Sequence, residues 1–76
     1  MITRKTLLKN LAENIRAERA RKNFSQEYLA EKVDISIQHL YRIENEKVCP
    51  TILVVAKIAI ALGVSLNTLL PLDKDI

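Results

Sequence analysis

At 76 residues, with 49 % hydrophobic and 28 % charged residues and a net charge of +3, the chain has the make-up of one small globular domain and not of a disordered tail. A domain this small buries only about 60 % of its unfolded surface, so oligomerisation is a common supplement to its core. Cys49 is the only cysteine, which excludes a disulfide framework and a thiolate zinc set and fits a reducing cytoplasm.

The periodicity predicts an all-α domain of five helices and no strands. The first runs from about Leu7 to Lys22, with Leu8, Leu11, Ala12 and Ile15 on one face, and ends at Asn23, which tolerates the left-handed conformation. Phe24 enters the core, and Ser25 opens a second helix reaching about Lys32. The third spans about Ser36 to Asn45. After a loop at 46–50, Thr51 caps a fourth helix over about 52–62, which Gly63 ends. Ser65 caps a short fifth helix through Leu70, and Pro71 blocks its extension. With Phe24, Tyr28 and Tyr41 the only aromatic residues, the core is aliphatic. The Leu7-Leu8 pair is too short for a signal-peptide core, and the stretch 58–72 is too rich in Gly63, Ser65, Asn67, Thr68 and Pro71 for a membrane span.

The segment SQEYLAEKVDISIQHLYRIE, Ser25 to Glu44, reads as two short helices joined by a tight turn. Leu29, Ala30 and Val33 form one apolar stripe, and Ile35, Leu40 and Ile43 a second; Ala30 is small where the helices cross. Burying Leu40 and Ile43 turns Ile37, Gln38, Tyr41 and Arg42 outward, a packed face opposite a polar face of long reach. Such a pair is the helix-turn-helix unit of DNA-binding regulators. Residues 1–24 carry seven lysines and arginines against two glutamates, whereas 25–50 carry three against five. Phosphate attraction is therefore expected mainly from the first helix and the segment before it.

The chain resembles the Xre/Cro family, the lambda-repressor-like DNA-binding domains. The residues that carry the likeness are IRAER (Ile15–Arg19), SQEYLAEKV (Ser25–Val33), RIE (Arg42–Glu44), the Pro50-Thr51 step and ALGVSLNTLL (Ala61–Leu70). The resemblance implies a helix-turn-helix domain over 10–70, preceded by a basic segment at 1–9 and followed by a short tail at 71–76. It implies base reading by Ile37, Gln38, Tyr41 and Arg42, and phosphate contacts from Ser25, Gln26, Ser36, His39, Asn45 and Lys47. Arg19 and Glu44 match a partly buried ion pair between the first and third helices. The implied function is sequence-specific binding of double-stranded DNA in transcription regulation, as a homodimer on a pseudo-palindromic operator, with no cofactor. A cytoplasmic protein of bacterial, phage or plasmid origin, nucleoid-associated when bound, follows from the same likeness. Two departures stand out: Asp34 and Glu46 occupy positions where the family usually has glycine. Left-handed Glu46 costs about 1–2 kcal/mol, so the 45–48 loop is expected to take another shape, with the Asn45 contact in question.

Arg42 can offer a bidentate fork to guanine, Gln38 can pair with adenine, and Ile37 can meet a thymine methyl, or else pack at the helix start. The Tyr41 hydroxyl serves a phosphate or nothing. His39 has no second imidazole or suitable thiolate beside it, so a place at the edge of the interface or a phosphate role is preferred to metal binding. No glycine-rich phosphate loop or catalytic constellation is present, so an enzyme is not expected. Two rival readings remain open: an antitoxin or controller-type regulator working with a second protein, and a protein-interaction module that has lost DNA binding.

The fourth helix, ILVVAKIAIAL, carries a single polar residue, Lys57. Ile52, Val55, Ala59 and Leu62, with Ile58 beside them, suffice for the core. Leu53, Ala56 and Ile60 are left on the opposite side, where solvated residues are the rule. A dimer interface is expected there, extended by Leu66, Leu70, Leu72 and Ile76.

Overall fold

The computed structural model describes residues 2–72, and within them five helices and no strand: α1 (Arg4–Arg21), α2 (Gln26–Lys32), α3 (Ile37–Glu44), α4 (Ile52–Leu62) and α5 (Leu66–Leu69). Ile76 and the end of the expected tail lie outside the described residues. The fold is all-α, as the sequence implies.

Every helix begins with a hydroxyl cap. Thr3, Ser25, Ser36, Thr51 and Ser65 are extended, and their side-chain oxygens accept the backbone N–H of Thr6, Tyr28, His39, Val54 and Thr68 at 3.0–3.3 Å. Each bond satisfies one donor that the first helical turn leaves orphaned. Thr3 is the cap that sequence reading overlooked. Because of it α1 starts at Arg4 and not near Leu7, and Arg4 and Lys5 sit on the helix and not in a segment before it.

Four helices also end alike. Asn23, Asp34, Glu46 and Gly63 follow α1 to α4 with φ of 59°, 59°, 63° and 72°. The next N–H in each case returns to a carbonyl in the last turn: Phe24 to Arg19 at 3.0 Å, Ile35 to Ala30 at 3.0 Å, Lys47 to Arg42 at 2.8 Å and Val64 to Ala59 at 3.0 Å. This is the Schellman closure, and glycine fills its left-handed position once in four. The expectation that Glu46 reshapes the 45–48 loop is therefore corrected. Glu46 takes the left-handed conformation, because the closure satisfies carbonyls that a different loop would strand.

The core is one aliphatic cluster. Leu11 and Ile15 of α1 meet Leu29, Ala30 and Val33 of the α2 region, Leu40 and Ile43 of α3, Val55, Ile58, Ala59 and Leu62 of α4, and Leu69 of α5. α1 packs against α3, α4 and α5, while α2 packs against α3 and α4. Asn14 of α1 donates to the Leu69 carbonyl at 2.9 Å and so ties down the end of α5. Ile52 departs from expectation: it stands on the core side of α4 by periodicity but is 65 % exposed. It lies in the first turn, where it borders an open apolar groove with Leu7, Leu8, Cys49, Pro50 and Leu70 and is not covered by a neighbouring helix. Among the described residues, no helix is long and apolar enough to cross a membrane.

Candidate nucleic-acid interface

α2 and α3 pack closely through buried Leu29, Ala30, Leu40 and Ile43. A methyl side chain at Ala30 admits the neighbouring backbone where a longer one would clash. With that face buried, Ile37, Gln38, Tyr41 and Arg42 fall on the outer side of α3, and all four are exposed. Ile37 is 46 % and Tyr41 53 % exposed, so neither belongs to the buried core.

These four residues, together with Gln26 and Lys47, line one shallow open groove. All six were read from the sequence as DNA-facing. The groove holds two cations, two primary amides, a phenol and an aliphatic side chain, and among the described residues no carboxylate lines it. The acidic character of segment 25–50 is thus directed elsewhere. Glu44 is buried, and Glu46 borders a separate depression beside Arg4, Lys5 and Leu8.

Behind the groove lies a polar cluster centred on Glu44. Arg19 Nε donates to Glu44 Oε2 at 2.8 Å and Nη2 donates to Oε1 at 3.0 Å, while Nη1 donates to the Phe24 carbonyl at 2.9 Å. The expected ion pair is present and lies deeper than expected: the Glu44 side chain is wholly buried and that of Arg19 is 20 % exposed. The Gln26 side-chain Nε2 donates to Glu44 Oε1 at 3.0 Å. Arg16, which sequence reading counted among the basic residues of 1–24 without naming a partner for it, donates through Nη1 to the Glu44 carbonyl at the end of α3. Its position one turn before Arg19, on the same face of α1, is the only signal that could have found it.

The remaining candidates are distributed around this frame. Ser25 and Ser36 are exposed caps whose oxygens accept the N–H of Tyr28 and His39. Each hydroxyl accepts through its oxygen and keeps its own proton to donate. His39 and Asn45 are half-buried, and Asn45 Nδ2 donates to the Tyr41 carbonyl at 2.7 Å, which leaves it one amide proton. Lys47 is exposed directly after the closure of α3. The basic first helix contributes less than its charge suggests. Arg16 and Arg19 are committed to α3, and Arg21 pairs with buried Glu18 at 3.1 Å. Arg4, Lys5, Lys9 and Lys22 are the exposed cations left on and just after that helix.

A model of the helix-turn-helix family HTH_3 matches residues 15–69. The fold is similar to that of a hypothetical transcription factor from Neisseria, at 30 % identity and a TM-score of 0.82, covering 92 % of this chain and 82 % of that one. It is similar as well to the clp gene regulator ClgR from Corynebacterium glutamicum, at 27 % identity and a TM-score of 0.80, covering 83 % of this chain and 67 % of that one. The restriction-modification controller protein C.AhdI from Aeromonas hydrophila shares the fold at 24 % identity and a TM-score of 0.79, with 82 % and 94 % covered. Among curated proteins, none matches this chain significantly in sequence. With the family model spanning most of the chain and a 30 % identical structure matched over 92 % of it, the chain belongs to the HTH_3 family of Xre/Cro-like helix-turn-helix domains, a family of DNA-binding transcription regulators.

Proposed function

We propose that this regulator binds a specific double-stranded operator as a homodimer, with α3 in the major groove. The observation that carries the reading is the groove itself: hydrogen-bonding and cationic side chains on one exposed helix face, with no carboxylate among them. An eight-residue helix is about 12 Å long and suits a major groove of similar width. Arg42 and Gln38 supply the bidentate geometries that discriminate guanine and adenine, Ile37 suits a thymine methyl, and Tyr41 reaches a base edge or a phosphate. Ser25, Gln26, Ser36, His39, Asn45 and Lys47 surround them as phosphate ligands that set the register of the helix without reading sequence.

Titration of random-sequence duplex at rising salt, followed by selection of sites from a random pool, tests the reading. The expected result is steeply salt-dependent binding, with log affinity falling linearly against log salt, and recovery of an inverted repeat. Absence of binding at low salt, or binding indifferent to salt and sequence, overturns it.

A further inference from the structure

Glu44 accepts more hydrogen bonds than an ion pair requires. Its buried carboxylate is held at both oxygens by Arg19, yet Oε1 also accepts from Gln26, which stands first in α2 and lines the groove beside Gln38 and Arg42. We propose that Glu44 is a positioning residue for DNA binding, fixing the Gln26 amide so that the ion pair joining α1 to α3 also sets the geometry of the DNA-facing surface. This rests on the reading above that Gln26 touches DNA.

A carboxylate only accepts, so it selects between the two flips of the glutamine amide and turns Nε2 inward. One amide proton is taken by Glu44, and the other remains for a phosphate oxygen. The anchor itself is rigid. Arg19 is bonded through Nε, Nη1 and Nη2, and the backbone carbonyl of Glu44 accepts from Arg16. A glutamine at a helix start otherwise samples many rotamers, and ordering it on binding lowers affinity. Here that ordering is complete in the free protein. Gln38, exposed on α3, has no such anchor among the described residues and supplies an internal comparison.

Nitrogen relaxation of the side-chain amides in the DNA-free protein is the first test. The Gln26 amide is expected to be ordered on the picosecond–nanosecond timescale and the Gln38 amide mobile; equal mobility overturns the proposal. The second test is a double-mutant cycle in DNA affinity, measured on random duplex at a temperature where circular dichroism shows each variant folded. Glu44→Gln is expected to weaken binding about two- to ten-fold in the parent, the cost of ordering one long side chain, and to have no further effect in the Gln26→Ala background. Equal losses in both backgrounds mean that Glu44 acts through the fold alone, and the proposal fails. Full affinity in Gln26→Ala removes the DNA contact itself, which separates failure of that reading from failure of this one. Should Glu44→Gln not fold at any temperature, the relaxation measurement on the parent decides.

Discussion

Arg42 and Gln26 face the same groove under different constraints, and the difference is measurable. Arg42 is exposed with its guanidinium free to fork onto a base, whereas Gln26 is anchored from behind. Arg42→Ala is expected to cost about 1–3 kcal/mol on the selected site and to relax preference at one base pair, with little loss on random duplex. Gln26→Ala is expected to lower affinity for specific and random duplex by similar factors. Competition assays against single-base site variants read both; equal losses for Arg42→Ala on both kinds of duplex would make it a phosphate ligand. Glu46 carries a different expectation, in stability. A side chain held left-handed costs about 1–2 kcal/mol, part of which glycine returns through its freer unfolded state. Glu46→Gly is therefore expected to stabilise the domain by about 0.5–1 kcal/mol and to raise the melting temperature by about 2–8 °C. Asp34→Gly should gain less, because Asp tolerates this conformation better. Calorimetry of the two variants beside the parent gives the order.

At the scale of the helix, α3 is held at its end by α1 more than by its own length. Arg19 grips the Glu44 side chain and Arg16 its carbonyl, so eight residues too few to persist alone are held in place as a helix. Glu44→Gln leaves the Arg19 charge largely buried without its counterion, and a loss of about 3–5 kcal/mol is expected. Against a total of roughly 4–11 kcal/mol for a domain this small, urea unfolding should show the midpoint fall sharply. An unchanged midpoint would place both groups in effective solvent contact. The elements themselves were legible because their signals are local. Ser25, Ser36, Thr51 and Ser65 mark starts, Gly63 marks an end, and the apolar spacing in 25–44 alone turns Ile37, Gln38, Tyr41 and Arg42 outward. What escaped depends on distant neighbours. The partner of Arg16 is a backbone carbonyl 28 residues away, which no residue type announces. Ile52 obeys the core periodicity but outruns the helices that would cover it. Thr3 was passed over because a basic segment was read where a cap had already begun the helix.

For the molecule as a whole, the unpartnered surface is on α4, where the side turned from the core is apolar apart from Lys57. Val55, Ile58, Ala59 and Leu62 are buried, yet Leu53 is 72 % and Ile60 79 % exposed, with Ala56 half-buried between them. Leu66 of α5 is exposed as well, and Leu70 half-buried, so the expected extension of the patch is accessible in part. Scattered surface aliphatics need no explanation, but two long ones a helical repeat of seven apart, on a helix whose only charge is Lys57, form a stripe. If α3 reads DNA as proposed, its eight residues cover too few base pairs to single out an operator, and a second copy would supply the specificity. Pairing through Leu53, Ala56 and Ile60, with Leu66 and Leu70 at the margin, would bury this stripe and leave both reading helices uncovered. Half-sites centred about 10 base pairs apart, or a multiple of that, are then expected in a footprint at saturation. Leu53→Glu/Ile60→Glu places two carboxylates in the interface of each protomer without touching the core. The variant should sediment as a folded monomer with its circular dichroism spectrum intact, bind a single half-site weakly, and lose the cooperative occupation of two. A double variant that remains folded and dimeric, or that still fills both half-sites together, moves the interface to another face.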